Sequence, residues 1–252
     1  MIKIDKLSKK YGDFVALDDL TVEIGDNEIF GFLGPNGAGK STTMNIMTGY
    51  LSPTEGRVQI DGFDIVSQPL KAKKLIGYLP EIPPLYPDMT PKEYLTFVGR
   101  MKGISKGDIG GEVQRVMEIT GLLDVKDSLI KVLSKGYKQR VGMAQAIMGD
   151  VKVIIMDEPT VGLDPIQIKE FRKMVVDLGK NHTVILSSHI LSEISEVCTK
   201  IMVMVKGKLI AVDTPENLAK KVGKNGEDAS LEDVFLELVE KETENAKHTD
   251  NI

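Results

Sequence analysis

The chain contains one cysteine, Cys198, which excludes an internal disulfide and a cysteine-built metal centre. Cys198 sits in an apolar-spaced stretch and reads as a small core residue. Tryptophan is absent, and aromatic residues make up only 5% of the chain. Basic residues are outnumbered, with 32 Lys and Arg against 37 Asp and Glu for a net charge of −5, and they form no block. That balance offers no footprint for a nucleic-acid partner. No run approaches the roughly 20 apolar residues that cross a bilayer. The opening residues, MIKIDKLSKKYGD, lack the apolar core of a signal peptide. A cytoplasmic protein is expected, one that works at a membrane only through a partner. What is present, 252 residues at 42% hydrophobic and 27% charged, suits one large folded domain or two coupled ones. Twelve methionines are scattered along the chain, as core fillers are.

The densest local signal is GPNGAGKS, Gly34 to Ser41. Gly, four residues, Gly, Lys and Ser form a loop whose backbone N–H groups turn inward around an anion. Its Lys carries a compact charge to the β- and γ-phosphates of a nucleotide, and its hydroxyl faces Mg²⁺. The flanks fit: Glu28 to Leu33 reads as a buried strand and Thr42 to Tyr50 as a helix. Phosphate would then sit at a helix N-terminus, where unpaired N–H groups and the helix dipole favour negative charge. Met1 to Asp5 and Leu20 to Ile24 alternate apolar and polar residues, as a half-buried antiparallel pair would. Arg57 to Ile60 and Ile76 to Leu79 read as further strands, and Gln68 to Lys74 as a short helix. Four prolines between Pro80 and Pro87 forbid regular structure there.

Thr90-Pro-Lys-Glu93 combines an N-cap, a Pro at the first helical position and a capping-box Glu. From there to Gly149 the pattern is helical, with breaks at Gly103 and Gly121. Val153 to Met156 resumes as a buried strand and ends on two carboxylates, Asp157 and Glu158. In an open α/β sheet the carboxyl ends of the strands are where ligands bind. Asp157 would hold Mg²⁺, and Glu158 would polarise a water in line with the γ-phosphate. Pro165 to Leu178 is a helix, Thr183 to Leu186 a strand, Ile190 to Val197 a helix, and the strands flanking Lys206-Gly207-Lys208 a hairpin. A helix is expected from Thr214, and another from Ser230 with Leu231, Val234, Phe235, Leu238 and Val239 as its stripe, ahead of a polar end. His189 follows a strand at the ligand edge. It is either a γ-phosphate contact or an ordinary surface histidine. Ser134 is a natural N-cap, and with Gly136 and a free helix N-terminus it also makes a second anion site. That site would serve a second subunit's phosphate loop more readily than its own. Tyr11 is either a base-stacking aromatic or a plain turn residue.

Together these motifs resemble the ATP-binding subunit of an ABC transporter, over essentially Met1 to Lys241. Gly34 to Ser41 matches the Walker A loop, Val153 to Glu158 the Walker B strand with its adjacent catalytic Glu, and Leu133 to Tyr137 the signature motif. Glu81 stands at the Q-loop position, Gly162-Leu163-Asp164 at the D-loop, His189 at the switch histidine, and Tyr11 at the aromatic that stacks on adenine. Lys135, Tyr137 and Glu81 depart from the commonest residues at their positions. Similar departures occur in the subgroup that serves separate ABC-2-type exporters, and Ser230 to Phe235 resembles that subgroup's C-terminal helix.

The resemblance implies an α/β fold: a P-loop NTPase core of mixed sheet flanked by helices, an antiparallel β subdomain and an inserted all-helical subdomain. Residues 1–87 and 151–222 would form the core, 88–150 the helical insertion, and 223–252 the C-terminal helix and tail. It implies an ATPase powering transport through a separately encoded transmembrane permease subunit, placed on the cytoplasmic face of the membrane. It implies a homodimer sandwiching two ATP molecules with Mg²⁺. Catalysis falls to Glu158, His189 and Lys40. Nucleotide binding falls to Tyr11, Gly34, Pro35, Asn36, Gly37, Ala38, Gly39, Lys40, Ser41, Thr42, Glu81, Ser134, Gly136 and Asp164. Metal binding falls to Ser41, Asp157 and Glu81. Ile82, Leu85 and Tyr86 are expected either to line a groove for a short permease helix or to pack internally. The alternative function is a soluble ATPase of the same family, or a non-hydrolysing ATP-dependent regulator. A small-molecule kinase would share only the first motif.

Overall fold

The segments Ile29–Leu33, Val153–Met156 and Thr183–Ser188 are buried along their whole length. Successive side chains of a strand point to opposite faces, so strands buried at every position must be covered on both sides. The computed structural model describes residues 1–222 and meets that requirement with three layers. The expected helix from Ser230 and the polar end lie outside the described residues.

In chain order the elements are β1 (Ile2–Tyr11), β2 (Phe14–Ile24), β3 (Ile29–Leu33), α1 (Lys40–Met47), β4 (Glu55–Ile60), β5 (Phe63–Asp64), α2 (Pro69–Lys74) and β6 (Ile76–Leu79). Then come α3 (Pro91–Met101), α4 (Ile109–Thr120), α5 (Lys135–Ala146), β7 (Val153–Met156), α6 (Pro165–Gly179) and β8 (Thr183–Ser188). The described chain closes with α7 (Leu191–Ser195), β9 (Lys200–Val205), β10 (Lys208–Asp213) and α8 (Pro215–Val222). A six-stranded sheet runs β10-β9-β3-β8-β7-β6 and is parallel except for the β9–β10 hairpin. A four-stranded antiparallel sheet runs β2-β1-β4-β5.

The period-two rule sorts the central strands between two cores. Phe30, Phe32, Val153, Ile155, Ile185, Met202 and Met204 pack with the antiparallel sheet and α1, through Ile4, Leu7, Leu20 and Met47. Ile154, Met156, Val184, Leu186, Ile201 and Val203 face the helices, through Leu95, Val116, Met143, Phe171, Val175 and Ile194. Cys198 belongs to this second core, and burial pushes its thiol far above its ordinary range, which makes it inert. Between β6 and β7 the described chain is helical throughout, apart from turns and loops. The α3 start carries the expected capping box: Thr90 Oγ1 accepts from the Glu93 N–H at 3.2 Å, and Glu93 returns a carboxylate to the Thr90 N–H at 2.8 Å.

The strands β1 and β2 run six residues past the expected end and start. At Lys6 and Asp19 the backbone is left-handed, with φ of 48° and 51°, and the register shifts between Ile4 and Leu7. These bulges interrupt the alternation, so the period-two pattern stops at Asp5 while the pairing continues to the Gly12-Asp13 turn. The loop-side helix α1 spans Lys40–Met47 rather than Thr42 to Tyr50, because the left-handed Gly49 ends it.

Candidate nucleotide site

Because β3, β7 and β8 are parallel neighbours, their carboxyl ends open on one edge of the sheet. Leu33 leads into the phosphate loop, Met156 into Asp157 and Glu158, and Ser188 into His189. Three pieces far apart in sequence thus meet through topology alone.

The phosphate loop is pinned from behind. A Cβ at Gly34 would lie 2.4 Å from the Met204 carbonyl oxygen, so only glycine fits there. Gly39 has φ of 100°, and its Cβ would meet Leu17 and the Ala16 carbonyl within 3 Å. Gly207, in the β9–β10 turn, donates its N–H to the Ala38 carbonyl at 3.0 Å and accepts from the Asp18 N–H at 3.0 Å. The hairpin therefore ties the loop to β2.

Lys40 is 5% exposed, and its Nζ donates to the Gly34 carbonyl at 2.7 Å and lies 3.4 Å from Glu158 Oε1. Glu158 Oε2 is 3.0 Å from His189 Nδ1. Its backbone is left-handed, φ 45°, held by the Glu158 N–H donating to Ser187 Oγ at 2.8 Å. For a non-glycine residue this conformation costs about 1–2 kcal/mol, and such strain clusters at functional sites. Asp157 is 7% exposed, and its Oδ1 accepts from Ser187 Oγ at 2.6 Å and Ser41 Oγ at 3.1 Å. Burial, then the Asp157 charge, pushes the neighbouring Tyr78 hydroxyl up to about 12.

These groups open into a cleft of about 530 Å³, a size suited to a nucleotide. It is lined by Asn36 to Thr42 together with Tyr11, Phe14, Ala16, Glu81, Glu158, Val161 and His189. The structure thus brings Tyr11, the phosphate loop, Glu81, Glu158 and His189 together.

The family model described as ABC transporter matches residues 17–161. The chain belongs to the ABC transporter family. It is 37% identical to the bacitracin transport ATP-binding protein BcrA of Bacillus licheniformis over 223 residues, 88% of this chain and 72% of that one. It is 34% identical to the Nod factor export ATP-binding protein I of Paraburkholderia xenovorans over 228 residues, 88% of this chain and 74% of that one. A solved ATP-binding subunit of an ABC transporter superposes with a TM-score of 0.84 at 28% identity, covering 94% of this chain and 99% of that one. As an ABC ATP-binding subunit the chain binds and hydrolyses ATP to power transport. Such subunits pair with transmembrane permeases and form dimers. Among the described residues no helix is long and apolar enough to cross a membrane.

Ser134, Gly136 and Asp164 stay outside the cleft lining. Ser134 caps α5, accepting from the Tyr137 N–H at 3.3 Å, and its surface is exposed. Gly136 is buried against Gln167 on α6. Asp164 caps α6, accepting from the Ile166 and Gln167 N–H groups at 3.0 and 2.9 Å. The ABC signature's departures also have partners within the chain. The Lys135 amine lies across Gly162, and the Tyr137 hydroxyl donates to Asp124 at 2.8 Å.

Tyr86 does not join the groove. Its ring packs edge-on to Tyr94 at 5.9 Å and tilted on Phe97 at 5.5 Å. The groove that exists is lined by Ile82, Pro83, Leu85, Pro87 and Ile130, rimmed by Lys131, Lys135 and Lys138. Two site residues escape a sequence reading. Phe14 pairs across the hairpin with Tyr11 and is 64% exposed in the cleft, a position visible only once the β1–β2 register is known. Ser187 is fully buried near the end of β8, and its role arises only where that strand meets the turn at Asp157 and Glu158.

Proposed function

We propose that the cleft is one half of a composite ATP site and that a second copy of the chain supplies the other half with Ser134 and Gly136. The observation that carries this reading is the exposed N-terminus of α5, which stands outside the cleft while Lys40, Ser41, Glu158 and His189 line it. Adenine would pack on Tyr11 and Phe14, and the phosphates on the loop N–H groups from Asn36 to Thr42. Lys40 would trade the Gly34 carbonyl for β- and γ-phosphate oxygens. Glu158 would accept the proton of the attacking water, and His189, oriented by Glu158, would contact the γ-phosphate.

Ser41, Asp157 and Glu81 fit a hard cation that keeps several waters. The Ser41 hydroxyl already meets the Asp157 carboxylate at 3.1 Å, Ser187 fixes the same oxygen, and Glu81 stands on the cleft rim. The chemistry supplied by a bound Mg²⁺ is neutralisation of charge on the phosphate oxygens. Asp164, engaged as a cap, would hold the loop after Glu158 rather than touch the nucleotide of its own cleft.

ATP then joins two copies, and hydrolysis removes the joining phosphate and lets them part. The groove around Ile82, which is 80% exposed, would receive a short helix of the permease on the cytoplasmic face of the membrane. Export is the direction suggested by the ABC-2-type resemblance and by the names of the relatives. Glu158→Gln slows hydrolysis while sparing binding, so gel filtration with ATP and Mg²⁺ should show a trapped dimer. A variant that remains monomeric under those conditions would count against the composite site.

A further inference from the structure

We infer that Glu193 is a positioning residue that locks the loop carrying Glu158 to the loop carrying His189. The inference rests on the roles proposed above for those two residues. Glu193 lies on α7 and is only 7% exposed. Its Oε2 accepts from Thr160 Oγ1 at 2.6 Å and from Ser188 Oγ at 2.9 Å. Thr160 stands two residues after Glu158, and Ser188 immediately precedes His189. Both hydroxyls are buried, Thr160 at 7% and Ser188 at 1% exposure.

The bridge is directional. A serine hydroxyl has one hydrogen. Ser188 Oγ accepts the Ile190 N–H at 3.0 Å, and its own hydrogen goes to Glu193. Among the described residues, the hydrogen-bond partners of the Glu193 carboxylate are these two hydroxyls. Hydrogen bonds from O–H to an ionised carboxylate are short and roughly twice as strong as neutral ones. A buried acid is costly to desolvate and contributes little to packing that an apolar side chain would not. Its placement makes sense where two loops must be held in register.

That register is what the site needs. Glu158 meets Lys40 through one oxygen and His189 through the other, and its left-handed backbone persists only if its surroundings over-determine it. Ser187 holds the turn at the Glu158 N–H, and Glu193 holds it two residues later through Thr160. The same carboxylate anchors the residue before His189. Losing the bridge loosens the turns on both sides of the 3.0 Å Glu158–His189 contact, while Glu193 itself bonds no residue of the phosphate loop.

Steady-state ATP hydrolysis with Mg²⁺ by the full chain tests this. Glu193→Ala should lower kcat about tenfold or more while KM for ATP stays within about twofold, since a small misplacement of catalytic groups costs rate rather than ground-state binding. Glu193→Gln, whose amide oxygen still accepts both hydroxyls, should recover most of that loss. Thr160→Val and Ser188→Ala should each lower kcat; in the Glu193→Ala background Thr160→Val should lower it no further, and Ser188→Ala, which also gives up the Ile190 N–H, should have a reduced effect. A wild-type kcat for Glu193→Ala, or undiminished Thr160 and Ser188 effects in its background, overturns the inference. If Glu193→Ala does not fold, the Thr160→Val, Ser188→Ala double variant decides. Less-than-additive loss supports the bridge, and additive loss overturns it. Glu158→Gln run alongside separates the layers. If it hydrolyses ATP at the wild-type rate, the reading of the site fails. If it is inactive while Glu193→Ala is normal, only the bridge fails.

Discussion

The two regions of the molecule that bear family motifs are built in opposite ways. At the sheet edge, Lys40 and Glu158 are bound to each other, Lys40 also to backbone, and Asp157 to the Ser41 and Ser187 hydroxyls, all sunk into the protein. At the start of α5, Ser134 is exposed, bonded among the described residues to its own helix, and lies outside the cleft. Burial and cross-bonding preorganise charge where it must stabilise a reaction. An exposed helix N-terminus is an anion site awaiting an anion from elsewhere. The contrast is that of a site divided between two copies.

Ser134→Asp breaks the comparison most severely. Aspartate caps a helix as well as serine does, so α5 should form normally. The added charge should repel the γ-phosphate of the opposing copy and lower hydrolysis by roughly 30-fold or more, the equivalent of about 2 kcal/mol. ATP binding to the single chain, read by a fluorescent analogue at low protein concentration, should not change. Weakened binding there would place Ser134 in its own chain's cleft.

Phe14→Ala sharpens the cleft side. Losing an aromatic base contact costs about 1 kcal/mol or more, so KM for ATP should rise about fivefold with kcat little altered. An unchanged KM would leave Tyr11 as the sole platform.

The smallest effect lies away from both regions. Glu112 on α4 accepts Arg115 Nε and Nη2 at 2.8 and 2.7 Å and the Gly149 N–H at 2.7 Å. The Arg115 hydrogen bonds, with help from Gly149 and the nearby Lys102 charge, hold its carboxyl below the usual glutamate range against the opposing effect of burial. A depressed folded value means stability present above the unfolded value of about 4.3 and lost as pH falls through the folded one. Glu112→Gln should be about 1 kcal/mol less stable at pH 7 by urea denaturation. The gap should close below about pH 4. A gap that stays constant with pH would mean the carboxylate charge is not what matters.

What the sequence reveals divides along a physical line. The phosphate loop, the strand ending at Asp157 and the capping box at Thr90 depend on residues within a few positions, and all are legible. Phe14, Ser187 and Glu193 acquire their places through pairings between distant segments, and no local pattern announces them. The lengths of β1 and β2 were hidden by bulges at Lys6 and Asp19, which break the period that reveals a strand. Tyr86 shows the converse. An aromatic in a proline-rich loop suggests a groove, yet Tyr94 and Phe97 supply a better surface within the chain.

The divided site is tested most directly by mixing two inactive chains. Lys40→Ala lacks a working phosphate loop, and Ser134→Asp lacks a working signature end. In a mixed dimer one site combines both defects, and the other combines the intact phosphate loop of one chain with the intact Ser134 of its partner. Mixed in equal amounts, the two should regain on the order of a quarter of wild-type hydrolysis per chain, because half the dimers are mixed and each holds one complete site. A mixture as inactive as its components would show that Lys40 and Ser134 must act within the same chain, and would contradict the composite site.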